Sequence, residues 1–221
     1  MNKIFLATVA ILVMVLALSA QVNPEYKPGD QSLMLVPTAY TMPSGSNAIT
    51  NYEVVFIQYA HSFTNHTHLS IASMMPITSD FVQTITLGVK QRYLVQGIVQ
   101  STVFGSFTPD NRMLIVGNVV SLGKPSTSLH LGLAYGSEEG NAFDAPIFYL
   151  GARKDFSHKV ALLIEYGNST TPINGAVKGI ASMCFRFIGD TISWDLGGVR
   201  PVGIDMGNLN FFPVLKATFE F

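Results

Sequence analysis

The sequence ends on LKATFEF, residues 215–221, and this stretch decides the fold class. Apolar and polar residues alternate along it, with Leu215, Ala217, Phe219 and Phe221 on one side and Lys216, Thr218 and Glu220 on the other. A period of two is typical of a β-strand with one apolar face and one polar face. Because the last residues of a soluble domain usually fray in water, a strand that continues to Phe221 predicts a terminus that is itself paired.

The first twenty residues have the pattern of a secretory signal peptide. Lys3 precedes an apolar run from Ile4 to Leu18, and small residues such as Ala20 follow it. The run is shorter than the ~18 residues that a membrane-spanning helix needs. The sequence therefore predicts a cleaved signal over residues 1–20, a short periplasmic segment over 21–30 and one folded domain over 31–221.

The composition restricts the class of this domain. Charged residues make up 12% of the chain, hydrophobic residues 48%, and the net charge is −1, so no basic surface for nucleic acid is expected. Cys184 is the single cysteine, which excludes an intramolecular disulfide framework. An exported, apolar chain without helix-length runs can bury its apolar surface in a two-sheet core or expose it to lipid as a closed barrel.

Period-two patterning recurs along the whole domain and predicts twelve strands. They cover 31–41, 51–61, 67–75, 80–91, 93–106, 112–122, 126–136, 146–154, 158–167, 176–188, 191–198 and 211–221. The connections alternate between long loops and tight turns, including a turn at Gln91 and Arg92, which is typical of an up-and-down meander. We therefore predict an all-β fold, a closed antiparallel transmembrane β-barrel of about twelve strands, with ten as the alternative.

The alternation assigns each strand an outer and a lumenal face. In strand 126–136 the row of Leu129, Leu131 and Leu133 is predicted to face lipid, and Ser128, His130 and Gly132 to face inward. The charged residues predicted to face the lumen are Lys90, Arg153, Glu165, Lys178, Arg186, Asp195, Lys216 and Glu220. Their mixed signs indicate internal ion pairs rather than a strongly selective pore, and Phe56, Leu163 and Ile180 on the same faces narrow the lumen.

Two stretches resemble bacterial outer-membrane proteins. Leu215, Ala217, Phe219 and Phe221 are similar to the C-terminal strand signature that the barrel-assembly machinery recognises. Residues 37–77, PTAYTMPSGSNAITNYEVVFIQYAHSFTNHTHLSIASMMPI, resemble the first hairpin of an uncharacterised family of barrels from Gram-negative bacteria. The resemblance implies an outer-membrane location, with membrane lipid and the assembly machinery as partners, and it supplies no catalytic residues.

The residues with reactive side chains do not form a recognisable catalytic or metal-binding motif. His61, Ser62, His66 and His68 surround a predicted periplasmic turn, which is the wrong rim for lipid hydrolysis in the outer leaflet, and no lipase nucleophile motif surrounds them. We predict no catalytic residue, no metal site and no cofactor. The sequence favours a non-enzymatic barrel, either a narrow channel for small solutes or a structural envelope protein. A soluble secreted β-barrel or sandwich that binds an apolar ligand is the alternative, and an outer-membrane lipid hydrolase is less favoured.

Overall fold

The computed structural model describes residues 26–75, 79–142, 146–173, 177–204 and 211–221, and one antiparallel sheet dominates them. The strands are β1 (Asn47–Tyr52), β2 (Phe56–Thr64), β3 (Thr67–Met74), β4 (Thr86–Gln96), β5 (Val99–Thr108), β6 (Met113–Lys124), β7 (Thr127–Glu138), β8 (Asn141–Ala142), β9 (Ile147–Asp155), β10 (Val160–Ile173), β11 (Val177–Ile188), β12 (Ile192–Val202) and β13 (Phe212–Glu220). The two-residue β8 pairs only with the end of β7, and the other twelve strands form the wall.

The wall closes on itself because its first and last strands pair. β1 lies between β2 and β13, and every other wall strand also pairs with a neighbour on each side. Beyond the end of β13, the amide of Phe221 donates to the carbonyl of Asn47 at 3.0 Å, and the reverse bond measures 2.8 Å. The predicted closed, antiparallel barrel of twelve strands is confirmed. Closure leaves no edge strand, so the backbone groups of the wall are satisfied within the sheet.

The predicted first strand of the wall is wrong. Residues 31–41 are not a wall strand, and the strand that pairs with β13 is β1, which the sequence analysis assigned partly to a loop. The strand number of twelve is nevertheless right, because β1 replaces the segment that was miscounted. Residues 26–42 lie inside the barrel instead, and the Pro37–Thr38 stretch of the predicted first hairpin lies there with them.

Two further predictions, about the residues before and within β4, are wrong. The predicted strand 80–91 does not begin at residue 80, because Ser79–Thr84 forms a 3-10 helix before β4. The predicted turn at Gln91 and Arg92 lies within β4, which continues to Gln96 and turns at Gly97 and Ile98. Gln91 and Arg92 were interpreted as a turn, but both are buried within the barrel wall, where Gln91 accepts the hydroxyl of Thr67 and Arg92 donates to Gln100.

The outer surface of the wall is apolar. On β7 the side chains of Leu129, Leu131 and Leu133 are each about half exposed, between 51% and 54%, while Ser128 and His130 on the opposite face are 4% and 0% exposed. A water-soluble protein would bury such rows, whereas a membrane barrel presents them to lipid. In the part of the chain that the structure describes, no helix is long and apolar enough to cross a membrane.

The predicted signal peptide lies outside the described residues and stays a prediction. The barrel wall itself begins at Asn47, later than the predicted domain boundary at residue 31. The chain from Tyr26 to Met42 enters and leaves the barrel at one rim. We call this the turn rim, because Phe221 and the tight β2–β3, β4–β5 and β6–β7 turns lie there. The opposite rim carries the longer connections between β3 and β4, β7 and β9, and β12 and β13, and we call it the loop rim.

Candidate functional site in the barrel lumen

Residues 26–42 form a hairpin that fills the turn-rim half of the lumen, and we call it the lumenal hairpin. Its arms are joined by backbone bonds from Leu33 to Val36 at 2.9 Å and from Thr38 to Gln31 at 3.1 Å. Met34 and Leu35 form its tip. Met34 and Met42 are completely buried, although the segment belongs to no sheet of the wall. The turn-rim half of the lumen is therefore a packed core, and the lumenal hairpin is its central element.

Arg186 of β11 makes the most extensive contact with this hairpin. Its guanidinium forms two bonds with the carboxylate of Asp195 on β12, at 2.6 and 2.7 Å, and it is fully buried. The same group donates to the backbone carbonyls of Gly29 at 2.7 Å and Ser32 at 3.0 Å. A fixed planar guanidinium can serve both sets of acceptors at once, which a single ammonium cannot.

Two further cations on the same side hold the hairpin. Lys216 of β13 lies 3.2 Å from the second oxygen of Asp195 and donates to the carbonyl of Leu33. Arg153 of β9 pairs with Asp30 of the hairpin and, at 2.7 Å, with Asp155. These cations are at most 4% exposed, and each has a carboxylate partner, as buried charges require.

Two carboxylates bind amides of the hairpin. Glu165 of β10 accepts bonds from the amides of Leu35 at 2.9 Å and Val36 at 3.0 Å, which fixes the tip about halfway along the wall. Glu220 accepts the amide of Gly29 at 3.0 Å and the hydroxyl of Tyr26 at 2.9 Å near the turn rim. Gly29 has a φ of +85°, a conformation that glycine adopts at little cost.

On the opposite side of the lumen, wall side chains hold the hairpin through hydrogen bonds with its backbone carbonyls and amides. Lys90 of β4 donates to the carbonyls of Gln31 at 2.8 Å and Tyr40 at 2.7 Å, and so joins the two arms. Ala39 donates to the hydroxyl of Ser121 at 2.8 Å, while its carbonyl accepts the Thr102 hydroxyl at 2.7 Å. These contacts bind backbone groups, so they depend on the path of the hairpin more than on its side chains.

His130 of β7 is fully buried and is held in place by hydroxyl groups. The two ring nitrogens of His130 lie 2.6 Å from the Ser121 hydroxyl and 2.9 Å from the Ser128 hydroxyl, and Tyr40 packs edge-on against the ring. Within the described residues, His130 bonds these two hydroxyls and no carboxylate, so the Ser121–His130 pair lacks the third group that orients a catalytic base. In the described chain, no cluster of three metal-ligating side chains is found.

Seven of the eight predicted lumenal residues lie around this hairpin, six through direct bonds to it and Asp195 through Arg186 and Lys216. Six of them are at most 5% exposed, namely Lys90, Arg153, Glu165, Arg186, Asp195 and Lys216. Glu220 is partly buried at the turn rim and also contacts the hairpin. Lys178 is the exception, because it lies near the loop-rim end of β11, where its side chain is exposed. The sequence predicted internal ion pairs without naming the partners, and the structure pairs Arg186 with Asp195, which is its direct neighbour in the register of β11 and β12.

Sequence reasoning missed the hairpin itself, although a signal for it was present. Pro37 lies in the middle of residues 31–41, which were interpreted as the first strand. Proline cannot donate to a sheet ladder, and it is found mainly at edge strands or strand ends. A segment with a central proline is therefore unsuited to a wall strand with neighbours on both sides.

Comparisons with known proteins give fold-level likeness only. No known family model matches the chain, and no curated protein sequence matches it. Among solved structures, a triple mutant of the Rhodopseudomonas blastica porin is 9% identical, with a TM-score of 0.44 over 91% of this chain and 68% of the porin. Salmonella typhi OmpF in complex with daunomycin is 11% identical, with a TM-score of 0.42 over 76% and 62%. Against another variant of the blastica porin, this chain spans 55% of the porin's length.

The membrane location follows from the geometry of this chain. A closed antiparallel barrel with an apolar outer surface and a polar interior is the architecture of outer-membrane proteins, since in lipid only closure satisfies every strand. The aromatic rings of Phe219 and Phe221 are exposed on the outer surface at the turn rim, where interfacial aromatic residues are common. The protein is an outer-membrane β-barrel.

Proposed function

We propose that this barrel is a non-enzymatic channel for small solutes, closed at rest by the lumenal hairpin and opened when the hairpin moves. The single observation that carries the proposal is the way the hairpin is held. Wall side chains bind it through polar contacts to its backbone, and in the described chain residues 43–46 connect it to β1. Because residues 26–42 belong to no strand of the wall, they can leave the lumen without disrupting any strand pairing of the wall.

The size of the barrel supports the same proposal. Eight strands enclose just enough space for side chains, whereas sixteen or more leave an aqueous channel. A wall of twelve strands without the hairpin would enclose a water-filled lumen lined by Arg186, Lys216, Glu165 and Lys90. These buried charges favour a polar, hydrated alternative state, because water can replace each carbonyl and amide that the hairpin supplies.

The test uses the native cysteine as an anchor for a reversible lock. Cys184 on β11 shares a buried apolar cluster with Leu33 and Met34 near the hairpin tip. Either Leu33→Cys or Met34→Cys then creates a pair that an oxidant can join, and loss of both free thiols verifies the bond. In planar bilayers, we expect channel openings from the reduced protein and silence from the oxidised protein.

The wild-type chain is the matched control, because its single cysteine cannot form an intramolecular disulfide and its openings should be insensitive to the oxidant. Openings that persist in the verified cross-linked protein would show that the hairpin does not close the lumen. Silence of every form at all voltages would contradict the channel and favour a purely structural barrel.

A further inference from the structure

The buried cations around the lumenal hairpin fall into two groups, those with a carboxylate beside them and those without one. On β9 and β11–β13 the cations Arg153, Arg186 and Lys216 all lie at carboxylates. On β4, in contrast, no carboxylate of the described chain lies within ion-pair distance of Lys90 or Arg92. Lys90 donates to two backbone carbonyls, and Arg92 contacts Gln100 at 3.0 Å, Asn65 at 2.7 Å and His66 at 3.2 Å.

This basic cluster is far from the compensated side. β4 and β11 are six positions apart around the twelve-strand wall, so they face each other across the lumen. His68 on β3 is the direct cross-strand neighbour of Lys90 and adds a buried ring whose Nδ1 atom has no hydrogen-bond partner. Lys90 and Arg92 are 5% and 3% exposed, so their charge is screened by little water in the closed barrel.

We infer that the open lumen selects small anions, which pass along the face of β3 and β4. This inference rests on the proposed channel function and names its substrate class. Once the hairpin leaves, Lys90 loses the carbonyls of Gln31 and Tyr40 and presents its ammonium to the lumen. Arg153 loses Asp30 with the hairpin, but three wall carboxylates, Asp155, Asp195 and Glu165, remain on the side of the three cations Arg153, Arg186 and Lys216 and balance their charge. In the open channel, Lys90 and Arg92 therefore leave an uncompensated positive charge on the side of β3 and β4.

The field of such a cluster is sufficient to set a preference. Low-dielectric walls focus the field of like charges in a cleft and raise the local concentration of counter-ions, by about tenfold or more. The effect falls with ionic strength, since the Debye length shortens from about 10 Å at 0.1 M salt to about 3 Å at 1 M. An anion preference that is strong in dilute salt and weak in concentrated salt is therefore expected.

The experiment measures the reversal potential of single openings between unequal potassium chloride solutions. For the wild-type protein we expect the sign set by chloride. In the Lys90→Gln, Arg92→Gln double variant we expect the permeability ratio of chloride to potassium to fall by a factor on the order of ten in dilute salt. Reversal potential does not depend on how often the pore opens, so a looser hairpin in the variant does not disturb the measurement.

Lys154→Gln is the matched control, because it removes a cation from the exposed outer face of β9 next to Arg153. It should leave the reversal potential unchanged. The single Lys90→Gln variant provides an intermediate shift if the double variant does not fold. Openings with a potassium preference in the wild-type protein would overturn the anion inference alone. A barrel that never opens would overturn the channel function, and the anion inference with it.

Discussion

Individual buried charges hold the lumenal hairpin inside this barrel, beside small apolar clusters such as that of Leu33, Met34 and Cys184. Arg186 illustrates the principle, because it is fully buried and binds both a wall carboxylate and the backbone of the lumenal hairpin. Such a group gains stability only when every one of its donors has an acceptor. The sequence predicted that Arg186 faces the lumen and has an internal partner. It could not predict the backbone acceptors, because they come from residues more than 150 positions away.

Replacement of Arg186 by methionine should destabilise the folded barrel by about 3–5 kcal/mol, since Asp195 then keeps only Lys216 as a cationic partner in the lumen. Urea unfolding in lipid vesicles measures this loss. The Arg186→Met, Asp195→Asn double variant should not recover this loss, because Lys216 then loses its carboxylate partner in the lumen. Lys154→Met, on the exposed outer face, should change the unfolding free energy by no more than about 0.5 kcal/mol. An equally small effect for Arg186→Met would contradict a structural role of the pair.

The alternation of the last strand, β13, predicted its faces but not its partner in the wall. The alternation in LKATFEF predicted a paired strand with an apolar outer face, and β13 has Phe219 and Phe221 on that face, with their rings stacked at 5.3 Å. The identity of its partner was predicted wrongly, because β1 replaces residues 31–41. Pairing specificity depends on which segments reach the same rim, and the pattern of one strand holds no information about that.

The substitution Phe221→Lys should reduce the yield of barrel in the outer membrane severely while it hardly affects unassisted folding into detergent. A lysine on the lipid face near the interface costs only about 0–1 kcal/mol, and the backbone bonds between residue 221 and Asn47 are retained. A severe defect in cells would therefore reflect lost recognition by the assembly machinery.

The matched control for that experiment is Phe156→Lys, which replaces another exposed ring in the turn between β9 and β10, at the turn rim but outside the last strand. Its cellular yield should be close to that of the wild-type protein. Normal yield of the Phe221→Lys protein would contradict the assembly role of the terminus, and equal failure of both variants would indicate a general intolerance of charge at this rim.

At the scale of the whole molecule, closure and the apolar outer surface set the behaviour in solution. A closed wall has no edge strand at which unfolding can begin locally, so it should open in one cooperative step. Unheated protein in detergent is therefore expected to migrate on gels at a different position from heated protein, and to move to the heated position in a single transition. Recovery of a detergent-free monomer from the periplasm would contradict the membrane barrel and favour the soluble alternative.

The sequence by itself determined the fold class, the strand number and the strand face of eight charged residues, because period-two alternation is a local property of each strand. Closure by β1 and the position of the lumenal hairpin were decided only by the tertiary structure. The alternation of QSLMLVPTAYTM fits a wall strand and an interior hairpin equally well, and Pro37 in its middle is the local feature that disfavours the wall strand. The segment lies in the lumen because twelve strands enclose more space than their own side chains fill, and the charges of distant strands meet there and need backbone partners.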